Sequence, residues 1–125
     1  MSKIFVIAIG GSIGAILRYS VSHFINLNIQ INNLPIGTIF VNATGCFIAG
    51  LVIGGFSYKL SGDLRSFLII GMLGSYTTFS SFGIETISLV QDDKLKIAIL
   101  NVASTFILTL LGVTIGYVFS KKIIN

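Results

Sequence analysis

Several residue types on which other protein classes depend are scarce in this chain. Its 125 residues include no tryptophan, one cysteine and one histidine. One cysteine cannot form a disulfide within the chain, and together with one histidine it cannot build a zinc cluster. The sequence has four acidic residues and shows no Ser–His–Asp set, carboxylate cluster or phosphate-binding loop. These absences argue against an enzyme.

Charge is scarce as well, and this defines the class of protein. Charged residues make up 10% of the chain and hydrophobic residues 54%, whereas soluble domains carry about 25% charged residues. The net charge of +4 comes from a few side chains, mostly at the ends of apolar segments. Such positions suit lipid headgroups better than a nucleic-acid surface. We therefore expect an integral membrane protein with no nucleic-acid partner.

Four apolar segments predict a single all-α transmembrane domain. The predicted helices cover about residues 3–24, 35–58, 66–90 and 95–119. The first segment lacks a clear cleavage site and stays apolar, so we interpret it as a retained helix. Residues 26–33 are polar and uncharged and predict an external connection, after which Pro35 suits the first position of the second helix.

The distribution of positive charge gives a weak signal of orientation. An even number of helices places both termini on one side. That side and the loop between helices 2 and 3 hold five basic residues, Lys3, Lys59, Arg65, Lys121 and Lys122, against Lys94 and Lys96 on the other side. The bias favours termini inside the cell but leaves both insertion directions open.

Residues 71–85, GMLGSYTTFSSFGIE, form the least helix-like part of the apolar sequence. Each glycine weakens a helix by about 1 kcal/mol relative to alanine, and the serine and threonine hydroxyls compete for backbone hydrogen bonds. Non-helical backbone at membrane depth persists where it is buried in protein or lines a water-filled path. The segment predicts either a functional site or a kink that lets helices approach closely.

A set of neutral hydrogen-bond donors accompanies this segment. Thr38, Asn42 and Gly45 share one face of the second helix, and Phe79 and Phe82 share one face of the third. Amides, hydroxyls and electropositive ring edges suit a small anion that must also be released. The alternative is that these polar groups serve only as hydrogen-bonding contacts between helices.

Two charged residues fall within or close to the predicted helices. Arg18 costs about 2.5–3.5 kcal/mol at the centre of a membrane helix on insertion scales. It must therefore extend to the interface, form a pair or line a wet cavity. Glu85 lies either near the membrane interface, where a charged side chain costs little free energy, or deeper, where it would be functional.

Three segments carry a resemblance to the Fluc/CrcB family of fluoride channels. They are GGSIGAILRY (10–19), GTIFVNATGCFIAG (37–50) and GMLGSYTTFSSFGIE (71–85). The resemblance extends over the whole chain in length, helix count and motif order, and VN-x-x-G followed by TTFS-x-F-x-x-E is specific. Ser81 departs from the usual TTFSTF but keeps a hydroxyl. The resemblance implies an antiparallel, dual-topology dimer of this chain with a second copy or a paralogue. It also implies two fluoride pores and passive export of fluoride across the plasma membrane.

The resemblance also implies roles for particular residues. The implied fluoride pore residues are Asn42, Phe79, Phe82, Thr38, Ser81 and Ser104. Arg18 matches a vestibule arginine, and Glu85 an acid of uncertain role. The third helix would be broken at its centre, where the backbone carbonyls of Gly74 and Thr77 from both subunits hold a structural Na⁺.

Three other functions compete with this interpretation. A small four-helix drug/proton exporter needs an acid in helix 1 and usually a tryptophan, and this chain has neither. A non-transporting assembly subunit would leave the Asn42, Phe79 and Phe82 set unexplained. Proton-coupled fluoride exchange through Glu85 is disfavoured because buried titratable groups are scarce.

Overall fold

The computed structural model describes residues 2–56 and 59–124, and within these ranges the chain is helical apart from its connections. The helices are α1 (Lys3–Asn28), α2 (Ile36–Leu51), α3 (Gly62–Arg65), α4 (Gly74–Tyr76), α5 (Phe79–Gln91) and α6 (Leu95–Ile124). Wider π-helical turns continue α2 through Val52–Phe56 and join α3 to α4 through Ser66–Leu73.

Four helical stretches are long and apolar enough to cross a membrane. They are Lys3–Asn28, Ile36–Phe56, Gly62–Gln91 and Leu95–Ile123. The prediction of four apolar helices of membrane-spanning length is therefore confirmed. Large apolar side chains such as Ile4, Ile16 and Ile99 are exposed on the outer faces, as lipid contact requires of a membrane protein.

The first helix ends later than the sequence predicts, at Asn28 instead of residue 24. The Asn28 amide donates to the Phe24 carbonyl at 2.7 Å, and the Asn26 amide oxygen accepts from the Gly37 N–H at 2.8 Å. The polar residues at the start of the predicted connection thus bond to helical backbone. The remaining connection turns at Asn32 and Asn33, which have φ values of 47° and 66°, a left-handed conformation that asparagine tolerates.

The other helix boundaries differ by a few residues. Helix α2 begins at Ile36, immediately after Pro35, and the predicted end at residues 57–58 lies outside the described residues. The third span begins at Gly62 instead of residue 66, because the Ser61 hydroxyl accepts the Leu64 N–H and caps the helix. The last helix continues to Ile124 instead of residue 119.

Glycines set the closest helix contacts. Helix α1 packs against the π-helical segment Ser66–Leu73, and α2 packs against α6. A Cβ atom at Gly10 would lie 2.5 Å from the Phe67 carbonyl oxygen, and one at Gly14 would collide with the Met72 carbonyl. Gly10 and Gly14, four residues apart on one face of α1, therefore let the two helices approach closely.

The backbone between α4 and α5 is extended. Thr77 has φ −81° and ψ 155°, and Thr78 has φ −147° and ψ 120°. These two residues lie near the middle of the apolar stretch Gly62–Gln91. Their backbone groups consequently need partners other than the usual helical ones.

Candidate functional site

The side chain of Asn42 supplies the partners that the extended backbone needs. Its amide oxygen accepts the Thr78 N–H at 2.6 Å, and its amide nitrogen donates to the Thr78 carbonyl at 2.9 Å. Both residues are buried. In a continuous helix the Thr78 N–H would bond to the Gly74 carbonyl, so Asn42 replaces a helical hydrogen bond at this point.

Thr78 also begins helix α5. Its hydroxyl oxygen accepts the Ser81 N–H at 3.1 Å and its hydroxyl donates to the Ser81 hydroxyl oxygen at 3.0 Å. Thr78 is therefore the N-cap, and the predicted pore residue Ser81 lies in the first turn with its hydroxyl against this cap. The sequence analysis did not select Thr78. A threonine directly before an aromatic helix start, with serine three residues later, is the N-cap signal that would have found it.

Two backbone carbonyls at the extended segment have no hydrogen-bond partner among the described residues, those of Gly74 and Thr77. The Thr77 N–H and hydroxyl both donate to the Leu73 carbonyl, at 3.0 Å each. Among the described residues, no hydrogen bond ends on the carbonyl oxygen of Gly74 or of Thr77. Unpartnered carbonyls at the C-terminal end of a helix carry partial negative charge. Carbonyl oxygens are also the ligands that hard cations prefer, so these residues fit the implied Na⁺.

The paired aromatic residues differ in exposure. Phe79 is 76% exposed and Phe82 is 6% exposed. Their ring centroids lie 5.3 Å apart with a tilt of 43°, and Phe82 meets Phe106 of α6 edge-on at 6.1 Å. Phe82 is thus fixed between two rings, whereas Phe79 presents its ring outward from this single chain.

A cavity of about 290 Å³ lies between α2, the start of α5 and α6. Its lining is Asn42, Cys46, Thr77, Thr78, Phe79, Thr105, Phe106, Thr109 and Leu110. No charged side chain is in this set. The structure therefore brings three of the predicted site residues to one cavity, Asn42, Thr77 and Phe79, while the other predicted residues lie outside its lining.

On helix α6, the structure places Thr105 and not Ser104 in the lining of this cavity. Ser104 bonds to its own helix through the Leu100 carbonyl at 2.7 Å and does not line the cavity. Thr105 does line it and is 7% exposed, and its hydroxyl has no partner among the described residues. The helical spacing of Asn101, Thr105 and Thr109 is the signal that would have selected this face instead of Ser104.

Thr38 of α2 and Glu85 of α5 form a second polar contact between these two helices. The Thr38 hydroxyl donates to Glu85 Oε1 at 2.7 Å, and Glu85 Oε2 is buried with no partner among the described residues. Glu85 also lines a separate cavity of about 250 Å³ that reaches Asp92 and Lys94. Glu85 is therefore half-buried between the protein interior and the loop that follows α5.

Asn101 on α6 is a further buried polar residue, and it contacts Thr86, the residue that follows Glu85 on α5. It is 0% exposed and its amide donates to the Thr86 hydroxyl at 2.9 Å, while its amide oxygen has no partner among the described residues. A buried, unpartnered acceptor in a membrane helix is costly. Asn101 is not among the site residues predicted from the sequence.

Arg18 lies well within α1 and is half-buried. It does not line the cavity beside Asn42. Among the described residues the ion pair within 4.0 Å is Lys94 with Asp92, at 3.5 Å, on the surface. Within residues 2–56 and 59–124, no carboxylate therefore lies within 4.0 Å of Arg18.

Comparison with known proteins identifies the family. The family model described as "CrcB-like protein, Camphor Resistance" matches residues 5–117. A relative from Parabacteroides distasonis, named fluoride-specific ion channel FluC, is 38% identical over 126 residues, covering 100% of this chain and 98% of the relative. Proteins of the same name from Flavobacterium psychrophilum and a Sulfurihydrogenibium species are 37% and 42% identical, each covering 98% of this chain and 100% of the relative. The chain belongs to the CrcB-like family.

Proposed function

We propose that this chain is a subunit of a fluoride-selective channel that lets F⁻ leave the cytoplasm passively. The observation that carries the proposal is the Asn42–Thr78 contact, which opens the third span at mid-length and places an amide, several hydroxyls and Phe79 around one cavity. Full-length relatives named fluoride-specific ion channels support it. The protein is a channel and not an enzyme.

The chemistry of the cavity favours a small anion. Its lining offers neutral donors and no charged side chain. Neutral donors replace part of a hydration shell and still allow the ion to leave, as conduction requires. The electropositive edge of the Phe79 ring adds attraction without a counter-charge, and the buried Phe82 ring packs beside it. Helix α5 begins beside the cavity, and helix N-termini attract negative charge.

The working unit is an antiparallel, dual-topology dimer with a second copy of this chain or a paralogue. Two observations support a partner beside the extended segment. Phe79 lines the cavity and is 76% exposed, and Gly74 is exposed with a carbonyl that has no hydrogen-bond partner among the described residues. The weak bias of positive charge allows both insertion directions.

The extended backbone between α4 and α5 forms a structural sodium site and also lines the pore. Residues Gly74 and Thr77 would hold Na⁺ through their backbone carbonyls, with the matching pair from the partner. The bound ion supplies positive charge that balances carbonyl oxygens left without hydrogen bonds. In this chain, Asn42 keeps the Thr78 N–H away from the Gly74 carbonyl.

The remaining predicted residues have supporting roles. Arg18 attracts the anion at the vestibule because it carries charge without a carboxylate partner in one chain. Thr38 and Glu85 form a polar contact beside the second cavity, which Glu85 lines. Ser81 holds the Thr78 cap, and Ser104 is the serine that the resemblance implies on α6, adjacent in sequence to the cavity-lining Thr105.

Passive export suits fluoride because HF enters cells by diffusion and dissociates inside, where the anion is trapped. A channel in the plasma membrane lets F⁻ leave down its gradient without ATP. The protein therefore reduces fluoride toxicity.

Fluoride efflux from liposomes holding only this purified chain tests the proposal. Chloride is the control anion, and a cation ionophore balances the charge. We expect fast fluoride efflux without chloride leakage. Phe79→Ile should abolish efflux, whereas Phe5→Ile, at a 67% exposed site on α1, should not.

The outcomes separate the alternatives. Normal efflux from the Phe79→Ile protein would remove the assigned pore. No efflux from a well-folded wild-type protein would indicate a missing paralogous subunit, and if adding one failed to restore flux, an assembly role would replace the channel.

A further inference from the structure

Tyr76 is the last helical residue before the extended segment, and its phenol reaches across to α2. The Tyr76 hydroxyl oxygen lies 3.1 Å from the hydroxyl oxygen of Thr44. The Thr44 hydroxyl has a single proton, and the Phe40 carbonyl lies 2.7 Å away in the helical back-bonding position. The Thr44 hydroxyl therefore donates to the Phe40 carbonyl, and Tyr76 is the donor in the bond between the two hydroxyls.

This bond and the Asn42 contact hold the extended segment at both ends. Asn42 binds the Thr78 backbone, and Thr44 binds the Tyr76 side chain, so both anchors belong to α2. Between them Thr77 rests against Gly45. A Cβ atom at Gly45 would collide with the Thr77 methyl group and lie 3.0 Å from the Tyr76 ring.

The residue held in this way carries one of the two free carbonyls. The Thr77 N–H and hydroxyl both point back to the Leu73 carbonyl. With its neighbours fixed on either side, the direction of the Thr77 carbonyl is set by the side chains of α2. We propose that the Tyr76–Thr44 hydrogen bond is a positioning contact that orients the Thr77 carbonyl toward a hard monovalent cation.

This inference rests on the sodium site of the proposed function but can fail separately from fluoride conduction. Tyr76 itself does not contact the ion. It acts through the backbone of Thr77. A neighbouring residue that sets ligand direction changes affinity for the ion, whereas a residue that only fills space changes stability with and without the ion equally.

The test is a sodium titration of thermal stability for the purified chain in detergent, at constant ionic strength. Sodium should raise the melting temperature of the wild type. Tyr76→Phe keeps the ring over Gly45 and removes only the donor. The sodium concentration that gives a fixed rise in melting temperature, called the sodium midpoint below, should increase about fivefold, which corresponds to about 1 kcal/mol for one hydrogen bond.

Further variants assign the effect to the bond. Thr44→Val should raise the sodium midpoint to the same extent, and the double variant should be no worse than either single one. Thr44→Ser keeps the acceptor and should retain the wild-type midpoint. Tyr117→Phe removes a phenol hydroxyl whose partner is Lys121, at the far end of α6, and should leave the midpoint unchanged.

Fluoride efflux supplies a second readout. Efflux through the Tyr76→Phe protein should fall at low sodium and recover as sodium rises. The proposal is overturned if the wild type shows no sodium-dependent stabilisation. It is also overturned if Tyr76→Phe lowers the melting temperature equally at zero and saturating sodium with an unchanged midpoint. A shifted midpoint in a protein that conducts no fluoride would support the positioning contact and refute the channel.

Discussion

Replacing Asn42 by alanine tests the contact on which the site depends. The side chain makes two buried hydrogen bonds to Thr78, at 2.6 and 2.9 Å. In the Asn42→Ala protein, the Thr78 N–H and carbonyl lose these partners. Water cannot easily replace them, because Thr78 is 7% exposed. Hydrogen bonds between membrane helices contribute about 0.6–2 kcal/mol each, and an unsatisfied buried group costs about 1–3 kcal/mol. We therefore expect a loss of about 2–4 kcal/mol in the free energy of unfolding.

The assay must separate a local effect from general instability. Amide hydrogen exchange at Thr78 should accelerate by about 30- to 1,000-fold, the factor that 2–4 kcal/mol represents, while amides in α1 should change little. Fluoride efflux from the same preparation should be lost. Asn28→Ala is the matched control, because Asn28 bonds only to its own helix at Phe24.

Slow exchange at Thr78 in the Asn42→Ala protein would refute the reasoning. It would mean that the extended backbone is held by something other than the asparagine side chain. Lost flux with unchanged exchange would instead show that Asn42 acts on the ion and has no part in holding the backbone.

Two further predictions concern packing and the second polar contact. Gly14→Ala should lower the free energy of unfolding by about 1–3 kcal/mol, because the new methyl group meets the Met72 carbonyl. Gly83→Ala, with nothing within 4 Å of the added Cβ, should lose no stability in the same thermal melts, and equal losses in both would contradict the packing argument. Thr38→Val should remove the 2.7 Å hydrogen bond to Glu85, lower stability by about 1 kcal/mol and reduce fluoride efflux several-fold, and unchanged efflux would exclude Thr38 from the pathway.

The class of protein and the positions of its helices could be predicted from the residues alone. Long apolar segments with charges at their ends have one stable solution in a bilayer, because every backbone group must be bonded within the segment. The boundaries were less predictable. Asn26 and Asn28 look like loop residues but bond to helical backbone, and Ser61 starts the third span early by capping it.

The choice of site residues was partly predictable. Asn42 and the Phe79–Phe82 pair were selected because their side chains are costly or distinctive in an apolar sequence, and the structure places Asn42 and Phe79 at one cavity. Ser104 was selected from the resemblance alone and stays a prediction, while the adjacent Thr105 lines the cavity. The two residues are adjacent in sequence but about 100° apart around the helix, and only packing against a neighbour decides which faces inward.

Local hydrophobicity and backbone preference suffice to predict a membrane protein with four spans and to locate the segment of weakest helical propensity. How that weak segment is used depends on contacts between residues far apart in the sequence. Asn42 is 36 residues from Thr78, and Thr44 is 32 residues from Tyr76, so no local pattern couples them. Their hydrogen bonds exist because packing brings α2 against the extended segment, where buried backbone groups must find partners among whatever side chains lie within reach.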